Sequence, residues 1–211
     1  MEFEKRFYTF EASAEKRDDG TGKLVGHPIV YNSPTDIGGM FREVIMPGAL
    51  DGTDLKDVPL LVNHNNQMIP VARSRRNNGN STMILIPDGN GMGFEASLDI
   101  ERNVTAAELY SAVERGDIDG MSFAFLIGKE RWEELDSDYP TRFIEQLSVV
   151  REISAVTFPA YDATDINARS KDALESARAA LESERRQKAS KAVETADIEL
   201  LKAKALFKSK I

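Results

Sequence analysis

All 14 glycines and all 8 prolines of this 211-residue chain lie before Ser170. Residues 170–211 contain neither and are built mainly from Ala, Glu, Lys, Arg and Leu. Glycine and proline end helices and shape turns. The chain therefore divides into a turn-rich body, residues 1–169, and a tail, residues 170–211, of helix-forming composition. In the tail, Ser170 is placed to cap a helix, and Leu174, Ala177 and Leu181 join Ala173 on one stripe. The polar stretch 183–190 leaves open one long helix or two shorter ones. Such a helix buries little against itself and calls for a partner, a second copy, or the body.

The body reads as short strands punctuated by turn signals. Strands are expected over 3–10, 24–31, 41–45, 58–63, 68–73, 83–86 and 93–98, and again over 121–127, 143–149 and 153–158. The run Asn77-Asn78-Gly79-Asn80 predicts a hairpin, and Asp88-Gly89-Asn90-Gly91 a second. Residues 103–115 break the rhythm: Asn103 can cap a helix, Val104, Ala107, Leu109, Tyr110 and Val113 follow its period, and Gly116 ends it. The pattern predicts an α+β fold with an antiparallel, β-barrel-like core, a few helices and a helical C-terminal tail.

The chain contains no Cys, which excludes disulfides and a thiol nucleophile. Its two His, at 27 and 64, show no metal-ligand spacing, so no metal or cofactor is expected. No apolar run approaches the ~20 residues of a membrane helix. The N-terminus MEFEKRFYTF shows no secretory signal. Of the net charge of −8, the body carries −11 and the tail +3. An acidic body is unsuited to nucleic acid. The cationic tail suits an acidic partner or simply solvates a helix face.

Chemistry centres on GMSFAF, residues 120–125, and on VPLLVNH, residues 58–64. Ser122 is a hydroxyl in an otherwise apolar, glycine-flanked strand. A serine nucleophile needs a base beside it, and here only His64 or His27 can supply one. The Gly-x-Ser pattern also suggests the α/β-hydrolase elbow, but that fold places its His after the nucleophile, and no His follows Ser122.

Four runs in order, FREVIMPGAL (41–50), LLVNH (60–64), GMSFAF (120–125) and EISAVTFPAYDAT (152–164), resemble the prohead maturation proteases of tailed phages. The matching runs are distributed from about residue 26 to residue 169. The resemblance implies a barrel akin to the herpesvirus assemblins and a serine endopeptidase acting inside the assembling procapsid in the host cytoplasm. Its implied substrates are scaffold and major capsid protein precursors, and the enzyme itself. Carried over by motif, Ser122 corresponds to the nucleophile and His64 to its base. Glu152, at the start of a matching strand, is the choice for the group that orients His64, because a carboxylate there needs a partner. Asp162 is the alternative, followed by Asp117 and Asp119. Backbone N–H groups near Ser122 would supply the oxyanion hole. Trp132, Phe123 and Phe125 are expected in the core, and Gly48 and Gly120 serve backbone geometry. The tail is expected to dock scaffold or capsid precursor, or to self-associate. A non-catalytic assembly module of the same fold is the competing reading.

Overall fold

The computed structural model describes residues 4–9, 13–16, 20–157 and 168–208. Among them the chain forms an α+β fold: β1 (Glu4–Thr9), β2 (Ser13–Lys16), β3 (Gly22–Val30), β4 (Thr35–Ile37), β5 (Phe41–Ile45), β6 (Val58–Val62), β7 (Ala72–Ser74), β8 (Met83–Asp88), β9 (Gly91–Leu98), α1 (Val104–Glu114), β10 (Gly120–Glu133), β11 (Thr141–Val156) and α2 (Ala168–Lys208). The strands make two sheets. One runs β1-β10-β11-β5-β4, with β6 beside β11 and β7 beside β6; the other runs β2-β3-β9-β8. Neither closes into a barrel among the described residues.

Strand β11 organises the larger sheet. It pairs antiparallel with β10 along its length. On its other edge it pairs in parallel first with β5 and then with β6. These parallel pairs depart from the antiparallel expectation. They arise because residues 46–57 loop out between two strands that run the same way along one edge. The loop stays tied to β11 by Met46 N–H to Ile144 O, 2.9 Å, and Asp54 N–H to Ser148 O, 2.9 Å.

The sheets enclose one core. Leu24, Ile29, Met92 and Phe94 of the smaller sheet pack with Leu60, Phe123, Phe125, Ile153 and Ala155 of the larger. Helix α1 adds Ala106, Leu109, Tyr110 and Val113. Asn103 caps it by accepting from Ala106 N–H at 3.2 Å, and Gly116 leaves it with φ +74°. Leu109, Tyr110 and Val113 of the expected stripe are buried, whereas Val104 is 72% exposed, since it stands about two and a half turns before Val113 and so on the opposite face.

The turn at 88–91 is a hairpin: Asp88 Oδ1 accepts from Asn90 N–H at 2.7 Å and Gly91 N–H at 2.9 Å. Gly91 is required there, because at φ +147° a Cβ would stand 2.0 Å from Ile29 O. The 77–80 turn differs from expectation. It links β7 in one sheet to β8 in the other, so it is a crossing between layers rather than a hairpin. Asn77 fills that crossing, donating to Leu85 O and accepting from Leu85 N–H, both at 2.9 Å.

The tail is one continuous helix of 41 residues, with no break at 183–190. One stripe of it is covered by the body: Ala177 and Leu181 pack against Ile37 and Phe41, flanked by Met40, Trp132 and Leu135. Arg185 then donates to Leu135 O at 3.0 Å and Ser137 O at 2.8 Å, and Lys188 reaches Asp136 at 2.5 Å. The expected need for a partner on the Ala177/Leu181 stripe is therefore met within the chain. From 185 to 199 the helix is exposed. The side chain of Leu174 lies outside the described residues, as do those of Leu200 and Phe207.

Below this contact, Arg142 is buried among carboxylates. Its guanidinium grips Glu4 with two bonds, 2.7 and 2.9 Å, meets Glu130 at 2.5 Å and Glu43 at 3.3 Å. Arg142 also lies over the Trp132 ring, 5.4 Å from its centre. Five donors in a planar fork let one side chain serve several carboxylates.

Candidate active site

Three adjacent strands, in the order β10, β11, β6, bring the sequence motifs together. Ser122 on β10 is opposite Ser154 on β11, and Ser154 is opposite Leu61 on β6. Adjacent strands are spaced about 4.8 Å apart, so β6 and β10 are separated by roughly 10 Å. His64 follows β6 across Asn63, and its side chain spans that gap. Its Nε2 stands 2.6 Å from Ser122 Oγ, and its Nδ1 bonds to Glu152 Oε1. Glu152 and Ser154 share one face of β11, while the intervening Ile153 faces the core.

The backbone turns sharply to deliver the imidazole. Asn63 and His64 both adopt left-handed φ values, 51° and 54°. Two consecutive non-glycine residues in this region carry a conformational cost that surrounding bonds must offset. Asn63 N–H donates to Ala155 O at 2.8 Å. Its side chain accepts from Thr157 N–H at 3.0 Å and donates to Thr157 Oγ1 at 3.0 Å. The Asn63 amide thus prolongs the β6–β11 pairing one step beyond the end of the strand. His64 N–H donates to Ser154 Oγ at 3.2 Å, and Ser154 O–H donates to Glu152 Oε2 at 2.6 Å.

All of these groups are sequestered: Ser122 and Ser154 are 0% exposed, Glu152 3% and His64 7%. With Nδ1–H donated to the carboxylate, Nε2 presents its lone pair to the Ser122 hydroxyl. That tautomer is the one needed to take a proton from serine and pass it on, while the carboxylate supports the imidazolium that forms.

The other residues singled out in the sequence stand elsewhere. His27 is on β3 of the smaller sheet, half-exposed, 3.5 Å from Asp88 and against Gly93. Asp117 pairs with Arg115 in the exposed loop after α1, with the guanidinium 2.5 Å from its carboxylate. Asp119 is exposed in the same loop. Asp162 lies outside the described residues. Trp132 is half-buried at the contact with α2, edge-on to Phe41 at 4.9 Å, and Phe123 and Phe125 stack in the core at 4.8 Å. Among the described residues no cluster of His, Asp and Glu is arranged to hold a metal ion.

Asn63, Ser154 and Thr157 were not foreseen. For Asn63 a signal existed: among non-glycine residues Asn is one of the few that tolerate φ > 0, and it directly precedes the only strand-end His. Ser154 sits in EISAVTF like any small strand residue, and nothing local marks it.

No solved structure matches the chain. The prohead protease of Enterobacteria phage HK97 is similar, 28% identical over 165 residues, which are 76% of this chain and 66% of the phage protein. The chain thus spans just under two thirds of that relative's length. Residues 9–178 match the family model described as caudovirus prohead serine protease. That match takes in most of the chain, and the chain belongs to the caudovirus prohead serine protease family.

Proposed function

We propose that the protein is a serine endopeptidase that cleaves capsid and scaffold precursors, and itself, during procapsid maturation. Ser122 is the nucleophile, His64 the general base and then acid, and Glu152 the group that orients His64. Residues 1–169 form the catalytic unit, and residues 170–211 are an appended, charged and largely helical tail. The observation that carries the reading is the continuous hydrogen-bonded line Ser122 Oγ, His64 Nε2 and Nδ1, Glu152 Oε1, assembled from three strands of a chain in this family. The name of the HK97 relative supports the setting, an assembling phage head in the host.

In the reaction, Ser122 Oγ attacks the peptide carbonyl as its proton moves to His64 Nε2. The imidazolium is held by Glu152 and returns the proton to the leaving amine. The main-chain N–H groups beside Ser122 do not serve the oxyanion as the sequence suggests, because β10 is paired there on one edge with β1 and on the other with β11; the donors come from outside β10. Water then repeats the sequence on the acyl-enzyme.

A second reading, a binding module that guides scaffold without cutting it, draws on the complete burial of Ser122. Co-expression of wild type or Ser122→Ala with the matching scaffold and capsid precursors, followed by intact mass, separates the two. Shortened precursors with wild type alone establish proteolysis. Full-length precursors with both variants, in particles that still assemble, establish the binding module.

A further inference from the structure

We propose that Ser154 is a positioning residue for this chemistry, an inference that rests on the assignment of Ser122, His64 and Glu152 above. Its hydroxyl closes a ring of bonds. His64 main-chain N–H donates to Ser154 Oγ at 3.2 Å, Ser154 O–H donates to Glu152 Oε2 at 2.6 Å, and Glu152 Oε1 binds His64 Nδ1. The hydroxyl's single proton and one of its two lone pairs are committed with the correct polarity. His64 is thereby held twice by one unit, through its ring and through its own backbone, in a left-handed conformation that such bonds must maintain.

The carboxylate gains as much. The terminal torsion of a glutamate is broad. With Oε2 held by Ser154, Oε1 is kept in line with the imidazole. The place of Ser154 in the sheet matters too. It is the strand partner of both Ser122 and Leu61, so the imidazole reaching from β6 to β10 crosses directly over it. A small side chain leaves that path open, and a hydroxyl makes use of it. Ser154 is itself buried and two strands define its position, so it is placed to act through His64 and Glu152 rather than on substrate.

The test uses the full chain and a fluorophosphonate probe, with inactivation rate and probe affinity measured separately. Ser154→Ala is expected to slow the maximal inactivation rate by about 10- to 100-fold, the scale of a small misplacement of reacting groups, with probe affinity unchanged. The downfield Nδ1–H resonance of His64, readily assigned in a chain with two His, is expected to broaden or move. Should Ser154→Ala not fold, Ser154→Cys, similar in shape but a weak donor, is read in the same way. A wild-type inactivation rate, or an unmoved Nδ1–H resonance, in the variant overturns the positioning role. Labelling that survives Ser122→Ala instead brings down the catalytic assignment itself, so the two failures are distinguishable.

Discussion

His64 Nε2 and Ser122 Oγ stand 2.6 Å apart although the residues are 58 positions apart and hang from strands separated by the whole width of β11. If the pair acts as a unit, Ser122→Ala and His64→Ala should each lower peptide cleavage by about 10⁴-fold or more, and the double variant should be little worse than either. Progress curves on a capsid-precursor peptide measure this. Additive losses would show that the two residues work separately.

Glu152→Gln keeps the shape of the side chain but replaces the charge that supports the imidazolium. The fold should persist by circular dichroism, and turnover should fall by about 10²- to 10⁴-fold, less than on loss of Ser122. Wild-type turnover would move the orienting role to Asp162.

Arg142 predicts a stability effect unconnected with turnover chemistry. Its replacement by Met leaves Glu43, which is fully buried, and Glu130 and Glu4 without their shared cation. Urea unfolding should show a loss of about 3–5 kcal/mol, the usual result of removing one partner from a buried ionic group. Lys should rescue only part of it, since an ammonium cannot fork. A loss below about 1 kcal/mol, the level of an exposed pair, would contradict this account.

Tyr139 donates its hydroxyl to Asp36. Burial, followed by that bond and the Asp36 charge, pushes the phenol up to about 12 from the ordinary value of 10.0. Because the folded value is the higher one, this stabilising contribution is complete below pH ~10 and disappears as pH rises through ~12. Tyr31 and Tyr110 are also raised, chiefly by burial, so tyrosinate absorbance should show several of the tyrosines titrating late, and Asp36→Asn should bring the Tyr139 component earlier. A titration curve unchanged by Asp36→Asn would refute the contact.

The tail should divide functionally in its middle. Truncation after Ser190 removes residues that, where the structure describes their side chains, are exposed, and should leave thermal stability unchanged. Deletion of 170–211 also uncovers Phe41 and Ile37 and removes Leu181, costing roughly 2–4 kcal/mol. If the shorter truncation folds and cleaves but is no longer packaged into procapsids, the exposed half is the docking element. Normal packaging would exclude docking through it.

Much of the local structure was legible because it follows from short-range rules. Asn103 and Gly116 mark the ends of α1 through capping geometry. The Asp88–Gly91 turn declares itself through its glycines. The helical tail follows from the absence of breakers. The layered crossing at 77–80 has the sequence of a hairpin, since a turn sequence states that the chain reverses but not which sheet it enters. Val104 faces solvent because it stands about two and a half turns before Val113, on the opposite face of α1 from Leu109, Tyr110 and Val113, so strict helical period excludes it from their stripe.

The candidate site divides along the same line. The sequence pointed to Ser122 as a candidate nucleophile, through its motif and the family resemblance, and limited the candidate bases to two histidines, because motifs and the His count are properties of the chain. Tertiary structure decided the rest. Parallel pairing of β6 with β11 puts the end of β6 beside Glu152 and Ser154, and His27 goes to the other sheet. It also covers Ala177 and Leu181 with the body. Strand register and sheet membership arise from contacts between segments far apart in the chain. No local window of residues contains them.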